Sequence, residues 1–340
     1  MMRRCGTSRR EAAASLFVVL LSALLVAPAA AGPLRDRIEA RRAQAAGQGQ
    51  GTAADPLAEA QATGDEAAAS EAGPPGVRLL RDQSYGEHPR QRFDVYLPAS
   101  PNAAALKDAP VLLLVHGGGW AHGDKAARSV VENKVARWVP RGFIVVSANY
   151  RLLPDAQPVA QANDIARALA TVQRQAPGWG GDARQLVLMG HSAGAHLVSL
   201  LASAPEIAGA AGAAPWRATV ALDSAGFDVE KIMRARHYRL YDPAFGDDPV
   251  YWREASPLQR LRAPGVPFLA VCSTRRPDQP CAQAHAFADK ARRLGMAVEV
   301  LEQPLSHRDI NQMLGQANAY TDAVEGFLRR LDPAFAQRLP

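Results

Sequence analysis

Leu186-Val187-Leu188-Met189-Gly190-His191-Ser192-Ala193-Gly194 holds the most specific pattern in this chain. An apolar run passes straight into G-x-S-x-G, the pattern of a strand that turns sharply into a helix. The residue at the tip of such a turn is forced into a strained backbone conformation, and its side chain projects clear of both elements. A Cβ at 190 or 194 would collide with the neighbouring strand or helix, so glycine stands at both places. Ser192 is thereby the candidate nucleophile. The pentapeptide also occurs in ordinary turns, and its weight rests on what surrounds it.

From Val77 onward, short apolar runs alternate with longer helix-like stretches, which implies a mostly parallel central sheet with helices on both faces. Residues 77–82 and 91–97 read as an opening antiparallel pair. Residues 111–115 and 143–147 are apolar throughout, as strands buried on both faces must be. Further strands are expected at 186–189, 219–222, 268–272 and 298–301, with helices at 129–139, 160–175, 193–204, 282–294 and 319–331. The globular domain is placed at 77–335. Within it, 227–258 breaks the alternation: it carries Met233, His237, Tyr238, Tyr241, Phe245, Tyr251 and Trp252 among many charges, with no strand-like run. This insertion is read as a cap over a pocket, with a packed surface excursion as the alternative.

A serine that attacks an acyl carbon needs a base, an anion to orient the base, and donors for the developing oxyanion. Open α/β sheets place such groups at the carboxyl ends of their strands. His116-Gly117-Gly118-Gly119-Trp120 follows the strand at 111–115, and its glycines let backbone N–H groups approach a substrate unobstructed. Gly118 and Gly119, with the amide of Ala193, are the expected oxyanion donors. A phosphate-cradling loop would need Lys-Ser/Thr, whereas Gly123-Asp124-Lys125 runs into alanine. His307, after the strand at 298–301, is the expected base. His116 and His191 are read as loop-shaping residues and His196 as a packing residue. Asp278 is the expected acid, because its strand neighbours the one that delivers His307; Asp223 and Asp228, after the preceding strand, are the alternatives.

Composition removes other classes. The 340 residues are 48% hydrophobic and 21% charged, as in a globular protein. Arg3, Arg4, Arg9 and Arg10 precede an apolar stretch of 11 residues at 16–26 and then Ala29-Ala30-Ala31, the layout of a cleaved export signal over residues 1–31. Eleven helical residues at about 1.5 Å each reach only about half of a bilayer core, so no permanent membrane anchor is expected. Without that segment the formal charge falls from +6 to +3, and no basic patch with interleaved aromatics suggests nucleic acid. Residues 32–76, rich in Ala, Gly, Gln and Glu, read as a flexible linker. Cys272 and Cys281 are placed to form a disulfide in an exported protein, two separate buried thiols being the alternative. Neither H-E-x-x-H nor C-x-x-C occurs, and no metal or cofactor is expected.

Five motifs, in order, give the chain a resemblance: Phe93-Asp94-Val95-Tyr96-Leu97-Pro98, His116 to Trp120, Asn149-Tyr150-Arg151-Leu152-Leu153-Pro154, Gly190 to Leu197, and Ser306-His307-Arg308-Asp309-Ile310. Together they resemble the α/β-hydrolase superfamily, in particular its hormone-sensitive-lipase-like, acetyl-xylan-esterase-like and arylformamidase-like serine hydrolases. The resemblance implies an α/β-hydrolase fold, a Ser-Asp-His triad acting through an acyl-enzyme, a backbone oxyanion hole, no cofactor, and a small-molecule carboxylic ester as substrate. With the export signal it implies a periplasmic or secreted esterase. Formamide or amide hydrolysis on the same triad is a second reading, and a catalytically silent binding protein a third. Such hydrolases usually carry Gly-x-x-Asp around the acid, whereas Cys272-Ser273-Thr274-Arg275-Arg276-Pro277-Asp278 is longer and bears arginines.

Overall fold

The computed structural model describes residues 74–99, 106–224 and 226–339. The expected export signal and all but the last residues of the expected linker lie outside them. Eight strands form one sheet: β1 (Val77–Ser84), β2 (Arg92–Pro98), β3 (Ala109–Val115), β4 (Ile144–Ala148), β5 (Gly181–His191), β6 (Ala218–Leu222), β7 (Phe268–Ser273) and β8 (Val298–Gln303). Their spatial order is β1-β2-β4-β3-β5-β6-β7-β8. β1 and β2 are antiparallel to their neighbours; every later pair is parallel. The sheet is that of an α/β hydrolase.

All residues of β3, β4, β6 and β7 are buried because both faces of the sheet are covered. Successive side chains still alternate between two cores. Val111, Leu113 and Val115 point into one, with Ile165, Leu169, Leu197 and Phe287. Leu112 and Leu114 point into the other, with Val135, Trp138, Val324 and Leu328. The first core is covered by α2 (Pro158–Gln175), α3 (Ala193–Ser203), the short α4 (Pro205–Ala210) and α9 (Pro280–Arg293), the second by α1 (Arg128–Trp138) and α11 (Ala319–Leu331). The expected strands and helices are all present, with ends that differ by a few residues; β5 gains most, starting at Gly181 rather than 186.

The strand order reverses between β3 and β5, because the chain leaves β3 toward β4 on one side and returns to β5 on the other. Val115 pairs with Gly190 in register, so the loops after these two strands open side by side into the crevice of the switch point. The Asn149 to Pro154 segment then fixes the glycine loop. The Tyr150 hydroxyl donates to the His116 carbonyl at 3.0 Å, the Leu153 amide donates to the Trp120 carbonyl at 3.0 Å, and Gln161 Nε2 donates to the same carbonyl at 2.8 Å. Arg151 grips the fully buried Asp164 through Nε and Nη2, each at 2.8 Å, while Gln91 and Arg167 complete the ring of donors.

The insertion folds as four short helices: α5 (Val229–Arg234), α6 (Tyr241–Phe245), α7 (Pro249–Glu254) and α8 (Pro257–Arg260). Aromatics anchor it. Phe245 meets the Trp120 ring edge-on at 4.9 Å between centroids, and Tyr241 lies 5.7 Å from that ring.

Replacing Asp164 by Ala leaves Arg151 and Gln91 without their acceptor. Removing one partner of a buried ion pair costs about 3–5 kcal/mol, and Arg151 is partly exposed, so a loss of about 2–3 kcal/mol is expected in denaturant titration. A change below about 0.5 kcal/mol would show that this cluster does not hold the loop.

Candidate active site

Ser192 sits between β5 and α3 with φ 54° and ψ −117°, in the left-handed half of backbone space that non-glycine residues rarely enter. The amide of Ser192 donates to the Leu222 carbonyl at 3.0 Å and its carbonyl accepts from His196, so both ends of the strained peptide are held. The glycines around it obey the expected sterics. A Cβ on Gly190 would lie 2.3 Å from the Gly194 carbonyl oxygen, and one on Gly194 would lie 2.3 Å from that of Val115.

His307 opens α10 (His307–Gln312), the first turn of which is capped by Ser306. Its Nδ1 lies 2.6 Å from Oδ2 of Asp223. Asp223, Arg276 and His307 line one small cavity with Ser192, Ala193, Gly119, Trp120 and Tyr241. Because the Asp223 carboxylate can only accept, its 2.6 Å contact puts the ring proton on Nδ1 and leaves Nε2 free to act as an acceptor. Arg276 Nη1, 3.0 Å from the same Nδ1, donates to Asp223 instead. The histidines read as structural have their ring nitrogens engaged. His191 donates from Nε2 to the His307 carbonyl at 3.0 Å, His196 from Nε2 to the Ala255 carbonyl at 2.7 Å, and His116 from Nδ1 to the Gly117 carbonyl at 2.7 Å. Burial lowers the pKa of His116 and of His196 to about 4 and holds His191 well below its ordinary value, so all three are neutral near pH 7.

The expectation that Asp278 orients His307 is not what the structure gives. Asp223 holds that place, directly after β6, with φ 55° and a fully buried side chain. Its Oδ1 accepts from the Ser273 amide at 2.8 Å. Asp278 instead faces Arg276, accepting from Nε at 3.0 Å and from Nη2. The same guanidinium donates through Nη1 to Oδ2 of Asp223 at 3.0 Å and to its carbonyl at 3.1 Å. The end of β7 therefore supplies an arginine rather than an acid, and Asp278 neutralises it. Asp228, the other alternative, caps α5 by accepting from the Lys231 amide. The sequence signal was Arg276 itself: an arginine two residues before a candidate acid can take that acid for itself.

Burial would raise the Asp223 carboxyl, but the Arg276 charge and the His307 hydrogen bond outweigh it and hold the group well below the usual carboxylate range. Asp223 is therefore ionised near neutral pH. Cys272 Sγ and Cys281 Sγ stand 2.11 Å apart, at disulfide distance, and bracket the loop that carries Arg276 and Asp278.

Of the expected oxyanion donors, Gly119 and Ala193 line the Ser192 cavity, and among the described residues their amides have no protein acceptor. Gly118 does not line it; its carbonyl accepts from the Ala121 and His122 amides and builds the turn. The insertion adds Leu240 and Tyr241 to the cavity wall. Among the described residues no cluster of His, Cys, Asp and Glu could hold a metal ion, and no helix is long and apolar enough to cross a membrane.

A serine on a strained strand-to-helix turn, with a histidine and a buried carboxylate at the carboxyl end of a mostly parallel sheet, defines the α/β-hydrolase class, and the chain belongs to that superfamily. A family model described as BD-FAE matches residues 93–214. Esterase LipQ of Mycobacterium tuberculosis is 31% identical over 261 residues, covering 73% of this chain and 61% of LipQ. Isoprenylcysteine alpha-carbonyl methylesterase ICME of Arabidopsis thaliana is 30% identical over 256 residues, 68% of this chain and 57% of that protein. The chain thus spans about three fifths of the length of these curated relatives. Among solved structures, esterase B from Lactobacillus rhamnosis superposes with a TM-score of 0.61 at 21% identity, over 90% of this chain and 96% of that one. A carbohydrate esterase from gut microbiota gives a TM-score of 0.62 at 17% identity, over 77% and 97%.

Replacing Arg276 by Gln removes the charge that holds Asp223 ionised. A depressed carboxyl contributes stability that is complete above its unfolded pKa, about 3.9, and fades as pH falls through the folded value. The melting-temperature gap between the wild type and Arg276→Gln should therefore be full at pH 7, corresponding to about 3 kcal/mol, and should shrink below about pH 4. A gap independent of pH would mean that the arginine acts by packing alone.

Proposed function

We propose that this protein is an exported serine hydrolase that cleaves small carboxylic esters through an acyl-enzyme. The observation that carries the reading is the sharing of one cavity by Ser192, on its strained turn, and His307, whose Nδ1 lies 2.6 Å from Asp223. The relatives support it, since several bear the name esterase.

In the mechanism Nε2 of His307 takes the Ser192 hydroxyl proton as Oγ attacks the acyl carbon. The imidazolium that results is stabilised through Nδ1–H by the Asp223 carboxylate. The amides of Gly119 and Ala193 receive the tetrahedral oxyanion, a contribution worth about 3 kcal/mol for a well-placed donor. His307 then returns its proton to the leaving alcohol, and water repeats the cycle on the acyl-enzyme. His191, which holds the His307 carbonyl, positions the base relative to the serine that follows it in the chain. The basic and apolar N-terminal layout supports export to the periplasm or medium, and a disulfide between Cys272 and Cys281 suits an oxidising compartment. The insertion acts as a cap, closing the cavity with Leu240 and Tyr241.

Hydrolysis of 4-nitrophenyl butyrate separates the roles. Ser192→Ala should abolish turnover and labelling by a fluorophosphonate probe; retained turnover would sink the mechanism. Asp223→Asn should lower kcat by about 10³–10⁴-fold, as when the anion behind the base is neutralised. Asp278→Asn should cost less than about tenfold, and the reverse ranking of the two aspartates would return the acid to Asp278. An aryl formamide in the same panel measures the amide-hydrolase reading directly.

A further inference from the structure

Beside the Ser192 cavity lies a second and much larger one, of about 690 Å³, which the mechanism does not use. The insertion walls it on one side, through Lys231, Ile232 and residues 235–239, and the start of α9 walls it on the other, through 277–279, Ala282 and Gln283. Tyr241 lines both cavities, and the neighbouring residues Arg276 and Pro277 face one each. The larger cavity therefore abuts the reacting centre across one aromatic ring and one arginine. Its volume falls in the range of small-molecule sites.

The charges on its walls are uneven. Asp278, the acid among them, is spoken for by the Arg276 fork. His237 is held by Asp242 and by the Ala235 carbonyl. Lys231, Arg236 and Arg239 line the cavity as well, and among the described residues their side chains have no carboxylate partner, although exposed arginines elsewhere, such as Arg234 and Arg330, do pair. Three cations without a carboxylate partner thus line a cavity whose remaining wall includes Ile232, Ala235, Pro277, Ala282 and the Tyr241 ring. Apolar walls with a few converging charges select an organic anion: the body is desolvated against carbon while the charged end meets Lys and Arg.

We propose that this cavity is the specificity site for esters that carry a carboxylate on an apolar body. This deepens, and rests on, the esterase reading of Ser192. The anion sits among Lys231, Arg236 and Arg239, and the ester bond reaches past Tyr241 to Ser192. The carboxylate can belong to the acyl half or to the alcohol half, and the substrates used in the test tell these apart.

The test compares kcat/KM for two pairs of esters, each at low and at high salt. In the acyl pair, 4-nitrophenyl hemiglutarate is set against 4-nitrophenyl butyrate; in the alcohol pair, 3-carboxyphenyl butyrate is set against phenyl butyrate. The wild type should favour the charged member of one pair by at least about tenfold at low salt. In the triple variant Lys231→Ala, Arg236→Ala, Arg239→Ala that preference should vanish while the neutral esters are turned over at the wild-type rate. All three side chains are exposed and lie outside the catalytic machinery, so the fold should persist; circular dichroism checks it. In parallel, calorimetry with 4-phenylbutyrate on Ser192→Ala should show binding that the same three substitutions abolish. Equal charged-to-neutral ratios in wild type and triple variant, or 4-phenylbutyrate binding that survives the three substitutions, would overturn the proposal. Absence of any ester hydrolysis with charge-dependent 4-phenylbutyrate binding intact would overturn the esterase reading and leave the anion site standing.

Discussion

The site depends on a close approach of three backbones. β5, the helix that follows it and the loop after β3 converge at Ser192 so tightly that a Cβ on Gly190 or Gly194 would fall at 2.3 Å from a carbonyl oxygen, and one on Gly117 at 3.0 Å from the Ser192 Cβ. At those separations something must shift. The approach is stabilised by burial on both faces of the sheet and by hydrogen bonds at each end of the Ser192 peptide, and together these keep a non-glycine residue at φ 54°. Lateral pairing of β3 with β5 then brings the glycine loop beside the serine, because parallel neighbours open their carboxyl ends toward the same crevice.

The second constraint is electrostatic. Asp223 and Arg276 are both nearly inaccessible to water, and a charge in that position is costly unless it is paired and hydrogen-bonded. The solution is a chain of alternating charge, Asp278 to Arg276 to Asp223 to His307, in which each group satisfies the next. Arginine suits the middle position because its planar fork grips one carboxylate bidentately and still presents Nη1 to the other. The same arrangement explains why the loop after β7 is long and rich in arginine, a departure from the pattern of similar hydrolases. The positive charge beside the imidazole also means that Asp223 serves two cations once His307 is protonated.

The insertion at 227–258 joins these two constraints to the outside. Trp120, which ends the glycine loop, packs against Tyr241 and Phe245, while His196 of the helix after the serine reaches the Ala255 carbonyl. Loop, helix and insertion therefore form one aromatic cluster, and Tyr241 of that cluster gives the Ser192 cavity part of its wall. The motif Asn149 to Pro154, which carries no chemistry, earns its place by holding the glycine loop from the opposite side.

Much of this was legible in the chain alone. Fully apolar runs such as 111–115 announce strands covered on both faces, glycines at 190 and 194 announce a turn with no room for a Cβ, and His307 stands after the serine and its candidate acids, the chain order of the hydrolases that the sequence resembles. These are local properties, set by periodicity and sterics within a few residues. The identity of the acid was not local. Asp223 follows β6 and Asp278 follows β7, and although Arg276 lies two residues from Asp278, linear order could not show that Asp223 would reach Nδ1 of His307 or that Arg276 would reach back to Asp223. Nor could it show that Lys231, Arg236 and Arg239 would face residues 277–283 across a cavity. Periodicity and backbone sterics, read residue by residue, set the elements and the turn that carries Ser192; which carboxylate meets His307, and which cations line the larger cavity, follow from the loops that the sheet order brings together.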